Sequence, residues 1–385
     1  MDIVFQSLIL PSLSGLLVAT ATLGCFYLLA ACALVLRAAG VRRPAPGRAV
    51  PVSILKPLHG AEPGLFTRLA SFCRQDYAAP VQLVCGAQDW SDPAVAIVRK
   101  LQETLPDHDI ALKVDARAHG SNRKISNVSN MAALARHDVL VLSDSDIEVE
   151  PDYLAAVAGE LQKPGIGAVT CLYHGIGEVG IWSRLSALAI NTHFLPNVIT
   201  ALNCRLARPC FGSTIALRRE TLAEIGGFQA YADCLADDYE IGNAVRATGR
   251  AVSIPSFTVG HACSQGSLRQ LFLDELRYAR TIKTIDPAGY AGAVITHPLP
   301  LALLALMLGS PHAWLVVPLA LACRMVLGRC IEHAFGLKRQ QIWLLPLRDC
   351  LSFAVFVTSF FGAAVSWRGY KYHVLAGGAL VQDPN

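Results

Sequence analysis

The sequence predicts an α/β domain on a mainly parallel sheet, with membrane-spanning helices on its N- and C-terminal sides. Three observations carry that expectation. Short apolar runs alternate with helical patterns through the middle of the chain, as strand–helix–strand units do. Three long stretches, residues 7–36, 287–323 and 350–367, contain no Asp, Glu, Lys or Arg. Finally, the run Val139-Leu140-Val141-Leu142 ends in Ser143-Asp144-Ser145-Asp146, placing two carboxylates at the carboxyl edge of a buried strand.

The apolar stretches come first. The 385 residues are 53% hydrophobic and only 16% charged, with mean hydropathy +0.41, which is too apolar for an ordinary soluble enzyme. A helix needs about 20 apolar residues to cross a hydrocarbon core of about 30 Å. Residues 7–36 suffice for one span, so 1–40 read as an N-terminal transmembrane anchor. A cleaved signal peptide is the alternative, but Asp2 stands where a basic segment belongs, and the apolar stretch is too long. Residues 287–323 suffice for a two-helix hairpin broken near Gly309-Ser310-Pro311. The third stretch is borderline: a span, or an interfacial or re-entrant segment. Together they make 286–367 the C-terminal membrane segments, followed by a tail over 368–385.

Basic residues set the expected orientation. Arg37 and then Arg42, Arg43 and Arg48, in a basic linker over 41–51, follow the first span and place the middle of the chain in the cytoplasm. Arg324, Arg329, Lys338, Arg339 and Arg348 agree. Arg368 and Lys371 would fall outside if the third stretch spans, which leaves the last crossing open.

Residues 52–285 read as one cytoplasmic α/β domain. Strands are expected at 52–56, 81–85, 111–114 and 139–142, with helices at 63–73, 93–105 and 126–136 between them. Residues 181–202 are apolar and helix-like but interrupted by Pro196. They suit either a core helix or an amphipathic element on the membrane surface. No Gly-x-Gly-x-x-Gly follows the first strand and no P-loop pattern occurs, so neither dinucleotide nor P-loop chemistry is supported. The 12 cysteines show no Cys-x-x-Cys spacing and read as reduced, buried small hydrophobes. A formal charge of +4, without a basic–aromatic pattern, gives no support for nucleic acid.

Acidic residues then recur in a fixed order: Asp89 and Asp92, Asp144 and Asp146, Asp237 and Asp238. Taken singly these are weak signals, since acid pairs also cap strand-to-loop turns and helix N-termini. Taken together they suit sugar transfer from a nucleotide diphosphate. That reaction needs a divalent cation on the departing diphosphate, a base for the acceptor hydroxyl and a grip on the nucleotide. Asp144 and Asp146 fit the first task, Asp238 the second and Asp92 the third. Lys124 is compact and cationic, suited to a phosphate, or else a solvated surface lysine.

The chain resembles the inverting GT-A glycosyltransferases of the ceramide glucosyltransferase type. The resemblance rests on an ordered set of motifs. These are Leu55-Lys56-Pro57-Leu58-His59-Gly60, Gln88-Asp89-Trp90-Ser91-Asp92-Pro93, Asn122-Arg123-Lys124-Ile125-Ser126-Asn127 and Asp144-Ser145-Asp146. Pro209-Cys210-Phe211-Gly212-Ser213-Thr214, Gly226-Gly227-Phe228 and Ala236-Asp237-Asp238-Tyr239 complete it. Through Trp182-Ser183-Arg184-Leu185 and residues 211–219 it is most similar to bacterial hopanoid-associated members, thought to pass a sugar to a polyhydroxylated hopanoid.

The resemblance implies a GT-A fold, a UDP-sugar donor (N-acetylglucosamine or glucose), a hopanoid or else ceramide acceptor, and Mg2+ or Mn2+. It also implies residence in the bacterial inner membrane. Asp92 would contact the uridine side, Asp144 the ribose and diphosphate, and Asp146, with Asp144, the metal. Asp238 would be the general base with Asp237 beside it. The family's later Gln-or-Arg, x, x, Arg-Trp is matched by Asp274-Glu275-Leu276-Arg277-Tyr278. Here Asp replaces Gln or Arg and Tyr replaces Trp. Either Arg277 or Arg280 would hold the diphosphate, and Tyr278 would keep an aromatic face toward the acceptor. His174 and His261 read as structural. A polyprenyl-phosphate transferase, a processive synthase and a non-catalytic scaffold are the competing readings.

Overall fold

A computed structural model describes residues 10–40, 47–362, 364–367, 370–374 and 380–382. Arg42 and Arg43 of the expected linker and Arg368 of the tail lie outside the described residues. The chain divides into two compact units. One gathers 1–41, 179–207 and 265–367; the other gathers 42–178, 208–264 and 368–385. The stretch read as one domain over 52–285 is thus shared between them. Residues 181–202 and the helix bearing Arg277 group with the apolar helices.

The second unit is built on β1 (Val52–Pro57), β2 (Val81–Ala87), β3 (Asp109–Val114), β4 (Val139–Leu142), β5 (Ile147–Glu148), β6 (Ile166–Val169), β7 (Leu172–Gly177), β8 (Ile215–Arg218), β9 (Ala251–Ser253) and β10 (Thr258–Cys263). Seven of these form one sheet in the order β3-β2-β1-β4-β8-β6-β9. β3, β2, β1 and β4 run parallel, and β8 alone opposes its neighbours β4 and β6. Every residue of β1 and β4 is buried, which is why β4 is continuously apolar and only Ser53 and Lys56 interrupt the apolar run of β1.

Alternate residues of β1 serve the two faces. Val52 and Ile54 pack with helices Leu65–Cys73, Pro93–Thr104 and Tyr153–Leu161, while Leu55 packs with Arg123–Ala132 and Asp237–Ala247. The expected helix at 126–136 begins three residues earlier. The Asn122 side chain accepts from the amide of Ile125 and caps it.

A second, smaller sheet orders β5-β10-β7, with β10 antiparallel to β5 and parallel to β7. Residues 143–146 carry the chain from the main sheet into this one. The Asp-Ser-Asp turn therefore sits where two sheets part.

Among the described residues of the first unit, four helices are long and apolar enough to cross a membrane: Pro11–Ala39, Gly180–Asn203, Ala313–Phe335 and Ile342–Ser359. A pair bent by 67°, Pro287–Thr296 and Pro298–Met307, would make a fifth. The expected hairpin turns at Gly309, where φ is +79°.

Two expectations are corrected here. The helix over 180–203 is not broken at Pro196. It runs through a π-helical turn, Ile190–Phe194, and the carbonyl of Thr192, which a proline nitrogen cannot serve, accepts from Arg324 Nη1 at 2.7 Å. The last apolar helix starts well before residue 350, because its charges are paired internally. Arg348 meets Glu275 at 2.8 and 2.7 Å, and Asp349 meets Arg324. Arg324 and Arg348 are therefore buried helix residues, and cannot be counted as loop charges for orientation.

Candidate active site

Four of the expected residues converge at the carboxyl edge of the main sheet. Lys124, in the first turn of the helix Arg123–Ala132, reaches Asp144 Oδ1 at 2.8 Å and Asp237 Oδ2 at 3.2 Å. Its side chain is 11% exposed, so it is no solvated surface lysine. Burial works against the ammonium, yet Asp144, Asp237 and Asp238 hold its proton affinity well above the ordinary lysine value.

Asp237 and Asp238 open the helix Asp237–Ala247, but they do not cap it. The cap position is Ala236, and no side chain bonds there. Instead Asp238 Oδ2 accepts from the amide of Gly212 at 2.9 Å, and Oδ1 from that of Tyr239 at 2.8 Å. Desolvation first, and the neighbouring charge of Asp237 second, push the Asp238 carboxyl up to about 6. Asp237 is buried and accepts from Asn122 Nδ2 at 3.1 Å, while the same Nδ2 donates to the carbonyl of Cys234. Asn122 thus caps one helix and fixes the entry to another.

Gly212, which stands in the 209–214 motif without a role of its own, belongs to this constellation. Its carbonyl accepts from the amide of Asp144 at 3.0 Å, and a Cβ on it would lie 2.4 Å from Asp144 Oδ2. Glycine is required by that close approach, not by an unusual φ.

Asp146 has a partner that sequence reasoning set aside. His261 Nε2 lies 3.3 Å from Asp146 Oδ2, because β10 brings His261 opposite Ile147 of β5. The imidazole also stacks on Tyr173 with centroids 5.3 Å apart. Burial opposes its charge, but Asp146 and then Cys263 carry its pKa up to about 10. The other carboxylate oxygen, Oδ1, is buried and makes no hydrogen bond. The available signal was that His261 lies on a strand, yet nothing in the sequence says which strand pairs with the two residues after Asp146.

Asp92 caps the helix Pro93–Thr104 by accepting from Ala94, and both its oxygens accept from the amide of Gly60 at 3.0 and 3.1 Å. It shapes the loop after β1. Asp89 closes a turn onto Ser91, whose amide and hydroxyl lower its pKa.

Arg277, Tyr278 and Arg280 lie in the other unit, on the helix Leu268–Ile285. Arg277 stacks on the Tyr278 ring at 4.4 Å, and Tyr278 is half exposed. Arg280 donates to the carbonyl of Phe361 at 2.7 Å, just past the helix that ends at Ser359.

The sheet order and the acidic edge define a glycosyltransferase of GT-A fold. A mannosyltransferase from Pyrobaculum calidifontis, solved in complex with GDP-mannose and Mn2+, shares the fold. It has a TM-score of 0.51 and 21% identity, covering 91% of this chain and 99% of that one. Residues 16–380 match the model of glycosyl transferase family 21, and the chain belongs to that family. It is 24% identical over 346 residues to ceramide glucosyltransferase 3 of Caenorhabditis elegans, covering 86% of this chain and 74% of that protein. To ceramide glucosyltransferase 1 of the same organism it is 22% identical over 360 residues, covering 87% and 74%.

Proposed function

We propose that the enzyme transfers one sugar from a UDP-sugar to a hydroxyl of a membrane lipid, with inversion at the anomeric carbon. The donor is UDP-N-acetylglucosamine or UDP-glucose, and the acceptor a hopanoid first and ceramide second. The observation that carries the reading is Lys124 bridging Asp144 and Asp237 beside an Asp238 whose proton affinity is raised toward neutrality. A base of that strength suits a hydroxyl acceptor better than a phosphate, which needs none. The acceptor oxygen attacks the anomeric carbon, the bond to UDP breaks, and the hydroxyl proton passes to Asp238. Asp237, held by Asn122, orients the pair.

A divalent cation fits the residues present. Asp146 offers a buried oxygen without a hydrogen bond, and oxygen donors suit Mg2+ or Mn2+. Among the described residues no cluster of three protein ligands is assembled, so diphosphate oxygens would complete the shell. Asp146 and Asp144 would hold the ion, which would neutralise charge on the leaving diphosphate, while His261 pairs with the outer oxygen of Asp146. Lys124 adds a fixed positive charge there. Asp92 would serve the uridine side through the Gly60 loop. Arg277 or Arg280 would hold the diphosphate, with the aromatic face of Tyr278 for the acceptor.

The apolar helices support a membrane protein with a lipid acceptor. The family resemblance would make that membrane the bacterial inner membrane, and Arg37 and Arg48 after the first span would put the sheet-bearing residues in the cytoplasm. Purified protein given a labelled UDP-sugar and a lipid extract should yield a labelled glycolipid that resists mild acid. An acid-labile product would instead mark a polyprenyl phosphate acceptor.

A further inference from the structure

We propose that Lys56 and Arg68 are positioning residues that hold the 143–146 turn from behind by its main-chain carbonyls. Lys56 is fully buried and the Arg68 side chain is 1% exposed, whereas the side chains of Asp144 and Asp146 are 34% and 28% exposed. Lys56 Nζ donates to the carbonyl of Asp144 at 2.5 Å and to Ser143 Oγ at 3.3 Å, and rests 3.9 Å from the centre of the Phe72 ring. Arg68 Nε donates to the carbonyl of Ser145 at 3.3 Å, and its Nη1 is held by both oxygens of Glu178 at 3.2 and 3.1 Å. The carbonyl of Asp146 accepts from the amide of Ala262 at 2.8 Å. Three successive carbonyls are therefore tied to three different elements: β1, the helix Leu65–Cys73 and β10.

Fold stability alone does not account for these two residues. Lys56 lies against Phe72 and Arg68 stands on the buried face of the same helix with Leu65, Leu69 and Phe72, where an apolar side chain would avoid the desolvation cost. Among the described residues Lys56 makes no hydrogen bond to a carboxylate, and Arg68 Nη2 makes no hydrogen bond and stands 3.6 Å from Glu62 Oε2. What they share is the turn they grip. Charged or neutral, the Lys56 amine has protons enough for both its acceptors. Two carboxylates on a four-residue turn repel each other before a cation arrives, and a turn fixed through its carbonyls keeps them apart and facing outward. Losing partners that orient ligands typically costs about 10–100-fold in metal affinity.

The inference rests on reading Asp144 and Asp146 as cation ligands, so its test has a readout that does not depend on transfer. In the full-length protein, Lys56→Met should fold with a thermal midpoint no lower than the parent. Its Mn2+ dissociation constant with UDP present, read from the free-Mn2+ EPR signal, should rise roughly tenfold or more. Amide exchange in the peptide covering 143–148 should speed up by a similar factor. Arg68→Met should weaken Mn2+ binding and speed exchange likewise, with some loss of midpoint because Glu178 loses its partner, and Arg68→Lys should fall between. If Lys56→Met kept parental Mn2+ affinity and amide exchange, the clamp would be refuted. If both Met variants failed to fold, they would be core residues and the inference would equally fall. Parent protein that binds no Mn2+ with UDP would overturn the metal reading, and the exchange rates alone would then decide the clamp.

Discussion

Gly212 donates its amide to Asp238 Oδ2 at 2.9 Å and accepts at its carbonyl from the amide of Asp144 at 3.0 Å. One peptide unit on each side of a single α-carbon thus spaces the proposed base from the proposed cation ligand. A methyl there would stand 2.4 Å from Asp144 Oδ2 and 3.1 Å from Lys124 Nζ, so both side chains would have to move.

Gly212→Ala should therefore lower turnover about a hundredfold, the scale on which a displacement of an ångström acts. The stability cost should be smaller, about 1–3 kcal/mol, as for other overpacked sites. Turnover and thermal unfolding measured on the same preparation check this. Full activity would mean that the spacing of the two acids is unimportant.

Asp238 governs the pH dependence. Its carboxyl is pushed up to about 6, and a base must be deprotonated to act, so turnover should rise with pH through about 6 and then level off. Asp238→Asn should remove roughly a hundred- to ten-thousandfold of turnover, the span of general-base contributions. The stability effect has the opposite sense. Because the folded-state value lies above the ordinary 3.8, the fold favours the protonated acid. The parent should lose stability as pH rises from about 4 through 6, and the Asn variant should lose less.

Lys124 pulls the Asp238 value down, against burial and Asp237. Replacing it by Met should move the acid limb of the rate profile to higher pH and raise the KM for the donor. A profile that kept its midpoint would show that Lys124 is not coupled to the base.

Much of this site is legible in the sequence because its acids sit at strand ends and helix starts, where local pattern speaks. Asp144 and Asp146 follow a four-residue apolar strand, and Lys124 follows an Asn cap. His261, Lys56 and Arg68 are different. Their roles depend on β10 pairing with β5, and on a helix packing beneath the 143–146 turn, both of which are long-range facts. The apolar helices repeat the lesson. Arg348 reads as a loop residue because uncharged length is the criterion, and its partner Glu275 lies 73 residues away in sequence. Pro196 looked like a break because the guanidinium that serves Thr192 comes from residue 324.

That last arrangement gives a prediction of its own. Arg324 is 1% exposed, pairs with Asp349 through Nε and Nη2, and gives Nη1 to the carbonyl of Thr192. Removing one partner of a buried ion pair costs about 3–5 kcal/mol, because the other charge is left unpaired. Arg324→Leu and Asp349→Leu should each lower the unfolding midpoint in detergent on that scale. The double replacement should be less harmful than either alone, since no charge remains buried. It still leaves the Thr192 carbonyl unserved, because Pro196 has no N–H to offer it. Adding Pro196→Ala to the double variant should then recover part of the loss, about 1 kcal/mol for one restored main-chain hydrogen bond. In the parent, where Arg324 already occupies that carbonyl, Pro196→Ala should bring no such gain. Equal gains in both backgrounds would mean that the proline, rather than the missing guanidinium, limits the stability of the helix.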